Sequence, residues 1–85
     1  MKMKGGMIVR HVMDTDIVID VTGGFSGVIK LNATSLLIWN GVAAGKSVHE
    51  IALALTEQYE VAEEKALSDV ERFCSDMVEQ GFFES

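Results

Sequence analysis

Hydrophobic residues alternate with polar ones up to Leu31, and recur every three or four positions from Ala33 onward. The period therefore changes from two to about 3.6 residues at one point, which predicts strands before Asn32 and helices after it. Residues 7–13 (MIVRHVM) read as a first strand, with Val9, His11 and Met13 on one face and Ile8, Arg10 and Val12 on the other. Asp14-Thr15 follows as a turn, because both side chains can bond local backbone. Residues 16–21 (DIVIDV) give the clearest strand, where Ile17, Ile19 and Val21 alternate with Val18 and Asp20. A glycine-rich connection, Thr22 to Gly27, leads to a third strand over residues 28–31. Short links between three strands imply an antiparallel meander with two open edges, the first strand and the third.

Capping chemistry sets the helices. Asn32 is a strong N-cap for a first helix over about residues 33–43, which Gly45 ends. Trp39 belongs to its core face. Ser47-Val48-His49-Glu50 has the form of a capping box, so a second helix runs from Val48 to about Tyr59. Its apolar face is Val48, Ile51, Ala52, Leu55 and Tyr59, and Val61 plugs the core after it. The third helix spans about residues 63–80, with Glu63 and Glu64 where the dipole favours acids. Its apolar positions are Ala66, Leu67, Val70, Phe73, Cys74, Met77 and Val78. This stripe is two residues wide and fills or exceeds what a small core needs, so part of it is expected to face a partner. Gly81 suits the position just past the helix, with Phe82 making the hydrophobic contact that follows.

Length and charge narrow the function. Eighty-five residues make one domain, spanning 1–85. The 48% hydrophobic and 24% charged content is that of a folded protein. No apolar run approaches the roughly 18 residues of a membrane span, and no signal-peptide core fits near the start. A single cysteine, Cys74, allows no internal disulfide and no CxxC metal framework. A cytoplasmic location is expected. The net charge is -6, and from Val48 onward only Lys65 and Arg72 stand against ten acids. An acidic helical half disfavours phosphate contacts, so no nucleic acid is expected.

Catalytic chemistry is missing. His11 and His49 have no second ligand nearby in sequence, so no metal or cofactor is expected. Cys74 sits on an apolar stripe, where a buried thiol is inert. Gly23, Gly24 and Gly27 lack the GxxxxGK[ST] pattern and lead into a strand rather than a helix, which excludes a phosphate loop. The chain is read as a non-enzyme.

Ordered landmarks then carry a resemblance. They are Leu31-Asn32, Ile38-Trp39, the run from Gly45 to Ile51, Leu55, Tyr59, Asp69-Val70, Phe73 and Gly81-Phe82. In order and spacing these resemble the PqqD family of pyrroloquinoline quinone biosynthesis, and the wider peptide-recognition domains found beside peptide-modifying enzymes. Ala62 stands where the family often has a polar cap, and Cys74 and Met77 where leucines are usual. The resemblance implies an α+β, winged-helix-like domain of three antiparallel strands followed by three helices. It implies a non-catalytic adaptor that binds the leader segment of a ribosomally made precursor peptide. The adaptor presents that peptide to a modifying enzyme, often a radical S-adenosylmethionine protein.

The leader is expected to add as a fourth strand, because strand addition gives affinity through main-chain hydrogen bonds and specificity through alternating side chains. The expected peptide-binding residues are Val28, Ile29, Lys30 and Leu31 on the edge, with Ala66, Asp69, Val70, Phe73 and Met77 on the third helix. Ile29 and Leu31 share the inward face, and Lys30, Lys65 and Arg72 would meet acids on the leader. A monomer or weak homodimer is expected. Two other readings stay open: a winged-helix DNA-binding protein, and a homodimeric structural subunit whose open edge pairs between copies.

Overall fold

The computed structural model describes residues 2–21 and 29–84. In chain order they form β1 (Lys2–Met3), β2 (Met7–Val12), β3 (Thr15–Asp20), β4 (Ile29–Leu31), α1 (Ala33–Ala43), α2 (Val48–Gln58), α3 (Glu63–Gln80) and β5 (Phe83–Glu84). The expected α+β arrangement is present: a three-stranded antiparallel sheet in the order β2-β3-β4, followed by three helices. Val28 and the glycine-rich connection lie outside the described residues.

The helix boundaries follow from their caps. Asn32 Oδ1 accepts the Ser35 N–H at 2.8 Å, which starts α1 immediately after β4. Ser47 and Glu50 close the reciprocal capping box, with bonds of 3.0 and 3.1 Å. Ala62 precedes α3 with no side-chain cap bond. Gly81 ends α3 at a φ of 90°, a left-handed conformation that a side chain would strain.

The first turn differs from the expectation. Val12 pairs with Thr15, so the turn is Met13-Asp14, and Met13 takes a φ of 57°. This two-residue connection sets Val9 opposite Val18, on the face that packs inward. Packing of that face decides the register, and local turn propensity yields to it.

The core joins Val18 and Leu31 of the sheet to Ile38, Trp39 and Val42 of α1, Ile51, Ala52 and Leu55 of α2, and Ala66, Val70, Cys74 and Met77 of α3. Gly41 lets α1 and α2 approach closely, since a Cβ there would come within 2.6 Å of Ile51 Cγ1.

A second, two-stranded sheet was not expected. β1 pairs antiparallel with β5, matching Lys2 with Glu84 and Met3 with Phe83, and Lys4 N–H donates to the Phe82 carbonyl. This ribbon ties the two ends of the chain together and buries Phe82 and Phe83. Phe83 lies 5.2 Å from Trp39 and 6.2 Å from Phe73 between ring centroids, so the terminal ribbon completes an aromatic cluster with α1 and α3. Among the described residues, no helix is long and apolar enough to cross a membrane.

Candidate functional site

β4 is an end strand of its sheet, hydrogen-bonded to β3 on one side. Among the described residues no strand occupies its other side. The chain's own C-terminal strand pairs with β1 instead and leaves β4 open. An open strand presents unpaired N–H and C=O groups, a template for an incoming chain. The edge is held from one end by Asn32, whose cap fixes where strand stops and helix begins.

Side chains along β4 alternate as the residues require. Leu31 is buried, Ile29 packs against the core and Lys30 is exposed. The inward face of Ile29 and Leu31 is therefore as expected, and Lys30 points to the other side of the sheet.

The third helix is placed differently. Ala66 and Val70 are fully buried and Met77 is 4% exposed, so all three belong to the core. All three are among the expected peptide-binding residues. The stripe was wide because α3 is packed on several sides, against α1, α2 and β5, and those neighbours use the apolar surface that seemed surplus. Phe73 and Asp69 are half-buried. They are the expected α3 positions that still reach the surface, and Leu67 joins them at the margin.

A pocket of about 140 Å³ adjoins this part of α3. Thr34, Leu55, Tyr59, Val61, Ala66 and Asp69 line it. Thr34 comes from the first turn of α1, just past the end of β4, and so joins the strand end to α3. Apolar walls with a few polar groups at the rim are what a single recognised side chain needs. The sequence reading took Leu55, Tyr59 and Val61 as core only and missed Thr34. The available signal was position: Thr34 lies three residues after Leu31, in the first helical turn. A larger cavity of about 390 Å³ opens between α1 and α2, lined by Leu36, Leu37, Gly41 and Ile51 among others. Its lining comes from α1, α2 and the turn between them and includes no residue of α3, so size alone does not make it the better peptide site.

Charges at the site are few. Lys65 Nζ lies 3.6 Å from Asp69 Oδ2, one helical turn apart. Both groups are substantially exposed, so the pair contributes little to stability. It does engage Lys65, which leaves Lys30 and Arg72 as the expected cations not tied up this way. Glu63, Glu64, Glu71, Asp76 and Glu79 are exposed on α3, and such a face repels phosphate. Cys74 is buried, and burial pushes its thiol above the ordinary value by disfavouring the thiolate. His11 Nδ1 lies 3.0 Å from Asp16 Oδ1 across the β2-β3 ladder.

Residues 13–82 match the sequence profile of the family described as coenzyme PQQ synthesis protein D (PqqD). The chain belongs to the PqqD family. The match covers β3 to the end of α3, the elements that build the open edge and the pocket. No curated protein sequence matches the chain significantly. Solved structures of similar fold include TbiB1 in complex with the TbiA(beta) leader peptide, 22% identical. That comparison covers 100% of this chain and 96% of the other, with a TM-score of 0.85. A lasso peptide synthetase B1 complexed with the leader peptide is 25% identical, covers 94% and 92% of the two chains, and has a TM-score of 0.80. The PqqD-family fold of this chain thus coincides with that of two proteins captured with leader peptides.

Proposed function

We propose that this chain is a non-catalytic adaptor that binds the leader segment of a ribosomally synthesised precursor peptide and holds it for a modifying enzyme. The observation that carries the reading is the open edge of β4 beside the pocket at Thr34 and Asp69, in a fold shared with leader-bound proteins. The leader adds antiparallel or parallel to Ile29, Lys30 and Leu31 as a fourth strand. One leader side chain enters the pocket, and Phe73 and Asp69 contact the flanking residues. Ala66, Val70 and Met77 act from beneath, by fixing where α3 stands. The partner is an enzyme that acts on such peptides, for example a radical S-adenosylmethionine protein, and the complex works in the cytoplasm.

The test is titration of the leader of a co-encoded precursor into isotope-labelled protein. Chemical-shift changes are expected at residues 29–31, Thr34, Asp69 and Phe73. Absence of binding to every co-encoded leader, or changes centred on β2, would overturn the assignment.

A further inference from the structure

The three-stranded sheet has a second face, turned away from the helices. Val18 and Leu31 are buried, so the register fixes which side chains point outward. Ile8 stands opposite Ile19, Arg10 opposite Ile17, Ile17 opposite Lys30, and Val12 opposite Thr15. Val21 follows on the same alternation. Ile8 is 37% exposed, Val12 49% and Val21 61%, and Met13 at the turn beside them is 89% exposed. These are four of the five large hydrophobic residues exposed among the described residues. The longest alternating apolar set of the sequence, Ile17-Ile19-Val21, therefore lies on the side that no described element of the fold covers.

The charges at the paired positions of this face are all of one sign, and the exposed Asp14 lies beside Met13 in the turn. Arg10 and Lys30 flank Ile17 on the outward side, and no carboxylate belongs to the outward set. The acids of β3, Asp16 and Asp20, alternate to the other side. In a chain of net charge -6, this is an apolar surface with a basic centre. A second copy is a poor occupant. Two-fold pairing sets a patch on itself, and would bring the two Arg10-Lys30 pairs together with nothing to offset them. Two cations are also few for holding an acidic protein on a lipid surface.

We infer that the outward face of the β2-β3-β4 sheet docks the peptide-modifying enzyme, through an apolar surface on that enzyme bearing carboxylates opposite Arg10 and Lys30. This rests on the adaptor reading above. It assigns the two faces of the adaptor separate partners, with the leader along the β4 edge and the enzyme on the sheet. Lys30 sits where the two meet.

The experiment uses the full chain, the leader peptide and the purified modifying enzyme encoded beside it. Arg10→Glu and Val12→Ser are compared with wild type, and Arg10→Lys serves as the charge-conserving control. Amide spectra check that each variant keeps its fold. Leader affinity should stay within twofold for all three. Enzyme affinity should fall at least tenfold for Arg10→Glu and Val12→Ser, and recover largely with Arg10→Lys. Unchanged enzyme affinity in both variants would sink the inference, as would the absence of any wild-type complex with that enzyme. Sedimentation showing a wild-type dimer that these substitutions dissolve would assign the face to a second copy. Co-sedimentation with phosphatidylserine vesicles, lost in the same variants, would assign it to a membrane. Loss of leader binding in the wild type would instead remove the adaptor reading itself.

Discussion

β2 and β4 are the two outer strands of one sheet, and among the described residues no strand pairs with the outer side of either. Among the described residues β2 is the longer, six residues against three, and most of its side chains are exposed. Length alone would make it the better template. What it lacks is a floor. β4 runs into the capped start of α1, buries Leu31 and ends beside a pocket reaching to α3, whereas the surface concavity at β2 is made by its own Ile8, Val9, Arg10 and His11. Main-chain pairing is nearly blind to sequence, so a selective edge needs adjoining side-chain pockets. Among the described residues, the short edge ends near a pocket walled by other elements, and the long one has only the concavity of its own side chains.

The largest contrast should come from trapping the peptide. Opposed residues in paired strands bring their Cβ atoms to about 4.5–5.5 Å, close enough for a disulfide when the geometry is favourable. Lys30→Cys is exposed on β4, and Arg10→Cys is its counterpart on β2. Across a series of single-cysteine leaders, Lys30→Cys should cross-link in high yield at one or two positions. Arg10→Cys should give only background. Cys74 should not interfere, since it is buried and its thiol is pushed up. Equal yields at both strands would break the comparison.

A smaller effect separates the edges by stability. Leu31 is 4% exposed within the core, and Leu31→Ala should cost about 2–5 kcal/mol through lost burial and the cavity left behind. Ile8 is 37% exposed, and Ile8→Ala should cost less than about 1 kcal/mol. Urea unfolding of the two variants measures both. Similar losses would mean that β2 is as deeply rooted as β4.

The same contrast explains what was legible in the sequence. Asn32, Ser47, Glu50 and Gly81 announce their helices because a cap acts within a few residues of itself. The meander was readable from alternation and short links. The β1-β5 ribbon was not, because two-residue strands have no period and the pairing joins residues at opposite ends of the chain. Met3 and Phe82-Phe83, apolar at both ends, were the only trace of it. Missing that ribbon also misjudged α3: with Phe83 against Phe73 and Trp39, the wide stripe is largely filled from within. The turn shifted to Met13-Asp14 for a related reason, since burial of Val9 and Val18 is a tertiary demand. The β4 edge was found because Asn32 marks its end. Of the α3 residues expected beside that edge, Ala66, Val70 and Met77 are buried and Asp69 and Phe73 reach the surface.

The smallest effect concerns neither edge, and it tests whether stability and peptide binding separate. Glu50 Oε1 accepts the Ser47 N–H at 3.0 Å. That backbone bond first, and the Ser47 side chain second, hold the Glu50 carboxyl below its ordinary value of 4.5. A carboxyl with a lower value in the folded state binds fewer protons there than in the unfolded chain. Its contribution is therefore complete above the ordinary value, and is lost as pH falls through the folded one. Glu50→Gln removes this titration while keeping an acceptor for the Ser47 N–H. The stability gap between wild type and Glu50→Gln should narrow as pH is lowered from about 6 to about 3, followed by thermal unfolding. A gap that widens on acidification would reverse the sign of the linkage. Because α2 packs on α1 and α3, leader affinity at β4 should stay the same in the variant at neutral pH. A change there would mean that the α2 cap also tunes the site, through Leu55 in the pocket wall.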